Sequence, residues 1–379
     1  MYLEPRRKQR LGSIWRWLLS FIVAFGLAWS LYSRQTAIIE AVRGPLPTPT
    51  PTEISPVEHV AVADDYFDQG RYDEALAHYR RASEVDPHYA TAFAREARIL
   101  LLRNQLEAAE ETAQKAVKLD AESAENQAVL GTVLDWRGYV GEAIAHCDKA
   151  TNIDPNYAQG YSCLAEAYGD YGRITDALNA AEKALELDDK DPFIRRNYGY
   201  VHELMGRYQD AIQEYHAATN LNPNHASVYL DLGRNYRALE DMEEAVRNFK
   251  LAVEKDPNQA YAHDQLGWIY FAQGSYEMAT DQFEKAIEID PYFASAYGHL
   301  GVTYYVRRNY ESAITSFERA IKLGGPNEEY CYELGFCYAY LGDCEAATPW
   351  FEQSLSLNPN SSIALEGLAY CQEKMKETP

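Results

Sequence analysis

Apolar and polar positions along this chain repeat with a period of 34 residues. Six helix-ending prolines, Pro87, Pro155, Pro223, Pro257, Pro291 and Pro359, follow one another at gaps of 68, 68, 34, 34 and 68. The empty registers fall on Ala121, Asp189 and Gly325. Nine units therefore follow without insertion, 56–89, 90–123, 124–157, 158–191, 192–225, 226–259, 260–293, 294–327 and 328–361, with a partial tenth at 362–379. Within a unit, large apolar residues recur at positions 7 and 11 and often at 24, as in Leu232, Tyr236 and Phe249. Spacings of three, four and seven put such residues on one helical face, so each unit predicts two amphipathic helices. Position 8 is Ala or Gly in all nine units, position 20 is always Ala, and position 27 is Ala or Ser. Small residues there let the two helices of a hairpin approach closely. The terminal proline cannot continue the second helix, and its fixed φ suits the start of the next.

A different pattern precedes the repeats. Residues 1–10 are basic, 11–32 are mostly apolar and 33–55 are rich in Pro and Thr, notably GPLPTPTPTEISP. About twenty apolar residues at ~1.5 Å rise span a hydrocarbon core of roughly 30 Å, which predicts one transmembrane helix. Arg16 lies near the end of the window between Trp15 and Trp17, where its side chain can reach the interface. The positive excess before the span predicts a cytoplasmic N-terminus and an extracytoplasmic repeat body, tethered by a polyproline-like spacer. Ala28 and Ser30 also offer a small-x-small cleavage site behind a short apolar core, so a signal peptide releasing a secreted body stands as the alternative.

The repeat resembles the tetratricopeptide repeat, whose 34-residue spacing L-G-x2-Y…A-x3-F…P is carried in unit 260–293 by Leu266, Gly267, Tyr270, Ala279, Phe283 and Pro291. The usual Trp at position 4 is His263 in that unit and Tyr161, Tyr229 or Tyr297 in others, and unit 90–123 is the most degenerate. The resemblance implies an all-α fold: an α-α superhelix, preceded here by the transmembrane helix and closed by a polar capping helix over 362–379. Many of the thirty tyrosines find their place in that register, since Tyr66, Tyr168, Tyr236, Tyr270, Tyr304 and Tyr338 all occupy position 11.

The resemblance also implies a groove lined by positions 2, 5, 9, 12 and 13 of the first helices. In the C-terminal half those positions, with Asn197 beside them, give Phe193, Arg196, Asn197, Tyr200, Leu230, Arg234, Arg237, Tyr261, Trp268, Phe271, Tyr305, Tyr332, Phe336 and Tyr340. Rings and a few arginines suit an extended peptide with apolar side chains and carboxylates. The alternatives are self-association through the same surface and plain packing between neighbouring repeats. In the N-terminal half the register gives Asp64, Asp68, Arg95, Arg98, Glu125, Asp135, Trp136, Gln159, Glu166 and Asp170, which reads as a solvated, mostly acidic wall.

Charge narrows the partner class. The net charge is −22, yet residues 1–44 carry seven Lys/Arg against Glu4 and Glu40, which leaves −27 on the remainder. Phosphate backbones require a basic footprint, so nucleic acid is not an expected partner. None of the six cysteines forms C-x2-C or has a histidine at metal-ligand spacing, and no metal or cofactor is expected. Register brings Cys147 near Cys163 and Cys344 near Cys371 as candidate disulfides. No Gly-rich phosphate loop, G-x-S-x-G or H-E-x-x-H occurs, so the chain is not expected to be an enzyme. The expectation is a membrane-tethered scaffold or adaptor binding a protein or peptide. A self-assembling envelope component, forming homo-oligomers, and a glycan-binding aromatic groove are the alternatives.

Overall fold

The computed structural model describes residues 12–43 and 54–377. The basic segment 1–10 and most of the Pro/Thr stretch lie outside the described residues. Two units are distinct, Met1–Ile54 and Ser55–Pro379. The first holds helix α1, Gly12–Arg43, which runs eleven residues beyond the apolar segment and into the stretch read from sequence as linker. Its Trp15–Gln35 portion is long and apolar enough to cross a membrane, and its side chains are exposed.

The second unit consists of helical hairpins. The first four pairs are α2 (Pro56–Asp68) with α3 (Tyr72–Val85), α4 (Ala90–Leu102) with α5 (Leu106–Leu119), α6 (Ala124–Trp136) with α7 (Val140–Ile153), and α8 (Ala158–Asp170) with α9 (Ile174–Leu187). Three more are α10 (Pro192–Leu204) with α11 (Tyr208–Leu221), α12 (Ala226–Ala238) with α13 (Met242–Lys255), and α14 (Ala260–Ala272) with α15 (Tyr276–Ile289). The last two are α16 (Ala294–Val306) with α17 (Tyr310–Gly324) and α18 (Glu328–Tyr340) with α19 (Cys344–Leu357), followed by the single helix α20 (Ser362–Glu377). Every first helix begins on the first residue of a 34-residue unit.

Local chemistry explains the punctuation. The residue before each terminal proline is forced out of the helical region, as at Asp154 (φ −132°, ψ 99°) and Asp256 (φ −136°, ψ 93°). The freed aspartate then accepts from the backbone N–H two residues on, for example Asp154 Oδ1 from Asn156 at 2.9 Å. All nine position-20 alanines have no exposed surface. Opposite them, position 8 meets position 24. A Cβ on Gly233 would stand 2.6 Å from Phe249 Cε1, so only glycine allows that ring between the helices. The position-11 tyrosines are mostly half-buried, and Tyr338 donates its hydroxyl to Glu318 on the preceding hairpin at 2.8 Å.

Position 24 of the third unit is Cys147, not a ring. Its sulfur is bonded to that of Cys163 on α8, with the Cα atoms 5.6 Å apart. A Cβ on Gly131 would lie 2.6 Å from one sulfur and 2.8 Å from the other, so the bridge occupies the space a ring fills elsewhere. Cys344 and Cys371, the other pair expected from sequence, are free thiols in hydrogen-bond contact, both buried between α19 and α20. The first bridge closes a short loop, its ends 16 positions apart. Chain entropy for such a loop is worth about 3 kcal/mol, so reduction should lower stability by about that much. Denaturation with and without reductant, alongside the mass shift on alkylation, measures it. Alkylation of all six cysteines without reductant would remove the bridge from the account.

Candidate functional site

The repeat body touches itself. Arg103, at the C-terminal end of α4, donates to both carboxylate oxygens of Asp256 (3.2 and 3.3 Å), 153 residues away or four and a half units of 34. Gln259 Nε2 donates to the Leu102 carbonyl at 2.8 Å, and Asn258 Nδ2 to Asp73 at 2.9 Å. One unit earlier, Asn222 Nδ2 donates to the Asp68 carbonyl at 3.0 Å, and the Tyr72 hydroxyl lies 3.2 Å from His225 Nδ1. Burial, and secondarily the charge of Arg98, pushes His225 down to about 4, which keeps it neutral in this contact. Gly70 sits here with φ +74°, where a Cβ would stand 2.8 Å from the Asn224 carbonyl oxygen. Asp256 and Asn222 hold the periodic pre-proline position, but no periodic feature marks Arg103 or Tyr72 as their partners.

This seam encloses the first-helix surface of the early units. A cavity of about 100 Å³ lies between α4, α6, α8 and α10, lined among others by Leu101, Val129, Trp136, Tyr157, Glu166 and Phe193. The solvated acidic wall expected there is therefore corrected in part, since Asp68 and Asp170 stay exposed while its middle is covered. Asp135 and Glu166 are buried, and Trp136 donates its Nε1–H to Glu166 at 2.9 Å. Burial, reinforced by Glu166 and Asp170, pushes Asp135 up to about 8, and neither of its oxygens has a hydrogen-bond partner. Periodicity assigned these residues to the right face, and the closure turned that face inward.

The residues expected to line the groove divide into three groups. Phe193, Arg196 and Asn197 lie on the enclosed surface. Phe193 stacks on Phe67 (5.8 Å between centroids) and tilts against His225 (4.5 Å). Arg196 is buried, donates to Asp231 at 2.6 Å and lies 3.6 Å from Glu166. Burial disfavours its charge, but Asp231 and then Glu166 outweigh that and hold the guanidinium protonated. Asn197 donates to the Ser162 hydroxyl at 2.9 Å.

A second group consists of polar residues already engaged within the chain. Tyr200 donates to Asp170, Arg234 pairs with Asp231 at 2.8 Å, and Arg237 donates to Gln265 at 2.9 Å. The carboxylates that Arg196 and Arg234 grip are thus the chain's own.

The third group is a strip of rings on α14, α16, α18 and α20. Trp268 and Phe271 stack at 5.2 Å, Tyr305 and Tyr340 at 6.4 Å, and Phe336 and Tyr340 at 5.7 Å. Tyr370 meets Tyr340 edge-on at 6.5 Å, and Tyr310 joins Tyr305 at 6.1 Å. Tyr340 is 49% exposed, whereas Trp268, Phe271, Tyr305 and Phe336 are half-buried. Tyr261 packs separately against Phe293 (6.5 Å), and Tyr332 leans on the core between α19 and α20. Beside Tyr305 lies Glu333, pushed up to about 8 by burial and by Glu329. Sequence reasoning did not single out Glu333, Tyr310 or Tyr370. Among the described residues no cluster of His, Cys, Asp and Glu forms a metal site.

Tetratricopeptide-repeat profiles match residues 193–256, 217–291, 265–328 and 328–361, and a TPR-repeat profile matches 63–95, together more than half of the chain. No curated protein matches the sequence. Among solved structures, the APC/C hetero-tetramer Cut9–Hcn1 is similar at 17% identity with a TM-score of 0.63, over 82% of this chain and 66% of that one. The human IFIT1 dimer with PPP-AAAA is similar at 19% identity with a TM-score of 0.54, over 79% and 82%. At these identities the likeness is one of fold. The helical register, the small residues that set it and the matched profiles agree: the chain belongs to the tetratricopeptide repeat family.

Proposed function

We propose that the chain is a membrane-tethered adaptor that holds an extended peptide segment of a partner protein on the aromatic strip of its last repeats. Tetratricopeptide repeats generally serve as protein-interaction scaffolds rather than catalysts, and α1 supplies a segment long and apolar enough to be the tether. The observation that carries the reading is the strip itself. Trp268, Phe271, Tyr305, Phe336 and Tyr340 come from three successive first helices, where the first four lean on the hairpin cores and keep part of their surface open, and Tyr340 is exposed. Two groups of partly exposed rings, Trp268 with Phe271 and Tyr305 with Phe336 and Tyr340, give apolar footholds on which alternate side chains of an extended peptide can be buried, and such rings dominate binding energy when covered. The arginines expected to grip carboxylates are engaged internally, so affinity there comes from aromatic burial.

Crosslinking in membranes, followed by capture, identifies the bound segment. The expected outcome is that Trp268→Ala with Tyr340→Ala weakens its binding by about a hundredfold, the loss of two ring anchors worth roughly 2–4 kcal/mol together. Arg237→Ala should change it little. Capture that survives the double substitution unchanged sinks the proposal. Light scattering of the full chain in detergent separates the competing use of the strip: a dimer that dissociates on the same substitutions would assign it to self-association.

A further inference from the structure

We propose that the half-open cavity between the first helices of the early repeats binds a small organic anion, a monocarboxylate carrying an aromatic or branched aliphatic body. This site is separate from the aromatic strip. The first observation is the space: about 100 Å³, with Leu102, Trp136 and Arg196 also bounding a neighbouring space of about 160 Å³. Its walls are largely apolar, built by Leu101, Leu102, Val129, Trp136 and Phe193. Protein interiors ordinarily fill such volumes with side chains, so an apolar space of this size is suited to a guest.

The second observation is Arg98, which lines that cavity and is half-buried. Arg95, Arg103, Arg196 and Arg234 each form ion pairs with carboxylates of the chain. Among the described residues Arg98 forms neither an ion pair nor a hydrogen bond. It is held instead by two ring faces, 5.2 Å from the Phe67 centroid and 5.4 Å from that of Phe193. Asp68, exposed at the end of α2, senses its charge without pairing with it. A partly desolvated guanidinium fixed by stacking and lacking an acceptor is a ready donor fork for a carboxylate.

Charge fixes the rest of the ligand class. Glu166 also faces the cavity, but Arg196 and the Trp136 N–H engage it, so among the described residues that line the space Arg98 is the uncommitted cation. A single negative charge matches it, whereas a polyphosphate would meet Glu166 without compensation. An amine would be repelled by Arg98. The apolar walls then require a hydrophobic body behind the carboxylate, with the Trp136 ring as a stacking surface.

Calorimetric titration of the full chain in detergent, with phenylacetate, its neutral analogue phenylacetamide and the cation phenethylamine, tests this directly. Phenylacetate is expected to bind ten- to a hundredfold more tightly than either analogue, the worth of about one charge-assisted fork. Arg98→Gln should remove that preference at the cost of a modest drop in melting temperature from its two lost ring contacts, with no ion pair lost. Arg98→Lys should restore part of it. Val129→Phe, which fills the cavity and leaves Arg98 in place, should abolish binding. Absence of phenylacetate binding at millimolar concentration, equal binding of the three probes, or undiminished binding by either Arg98→Gln or Val129→Phe each overturns the proposal.

Discussion

Replacing Arg196 with alanine is expected to destabilise the early repeats by about 3–5 kcal/mol, the range for removing one partner of a buried ion pair. The guanidinium is buried, with Asp231 on one side at 2.6 Å and Glu166 on the other at 3.6 Å, and its two carboxylate partners are equally enclosed. Truncation would leave Asp231 charged in the interior, with only the half-buried Arg234 still beside it at 2.8 Å. The loss is thus the desolvation of buried carboxylates left with weaker compensation more than the worth of the pair itself. Adding Asp231→Asn to the alanine variant should return a good part of the stability, because the uncompensated charge is gone. A single exposed arginine that gripped a partner would behave oppositely, with little loss of stability and a large loss of binding. Repeat arrays unfold in segments, so a local probe is needed. Trp136 serves, since Arg196 lies 5.7 Å from its ring centroid and Glu166 accepts its N–H. A loss below about 1 kcal/mol would return Arg196 to the surface role that its register position suggests.

That contrast marks how far the sequence reaches. The hairpin is legible because its contacts are local and repeated: the Gly233–Phe249 approach links residues 16 apart, and nine alanines at position 20 reiterate one requirement. The register also places Trp268, Tyr305 and Phe336 on the first helices, where each is half-buried. The closure was not legible. Arg103 and Asp256 are one pair in one place, and nothing in a 34-residue period distinguishes Arg103 from a surface arginine. Register states which way a side chain leaves its helix, while superhelical pitch decides whether solvent or another repeat lies there. For Arg196, Glu166 and Asp135 another repeat lies there, and it buries the middle of an apparent acidic wall.

Opening the seam is the other large effect expected. Arg103 has 8% of its side chain exposed and Asp256 has 4%, while Asp73, the third member, is largely solvated. Arg103→Ala should therefore orphan Asp256 and weaken closure by about 3–5 kcal/mol, whereas Asp73→Ala should cost well under 1 kcal/mol. The remaining contacts are neutral hydrogen bonds and rings: Gln259 to the Leu102 carbonyl, Asn222 to that of Asp68, Tyr72 with His225, and Phe67 against Phe193. Each neutral hydrogen bond is worth about 1 kcal/mol net, so the ion pair is the largest single restraint. Arg103→Lys should fall between, because an ammonium cannot reproduce the two-pronged contact with Asp256. Amide hydrogen exchange gives the readout. Protection should drop over residues 68–73, 222–225 and 256–259 in the alanine variant and stay unchanged in α16–α19, whose hairpins do not touch the seam. Unchanged protection across all three loops would mean that the pair is incidental and the rings alone hold the turn shut. If protection does fall, Trp136 and Phe193 become exposed together with Arg98. The cavity and the ion pair then form one thermodynamic system, in which any ligand that fills the space also stabilises the closure.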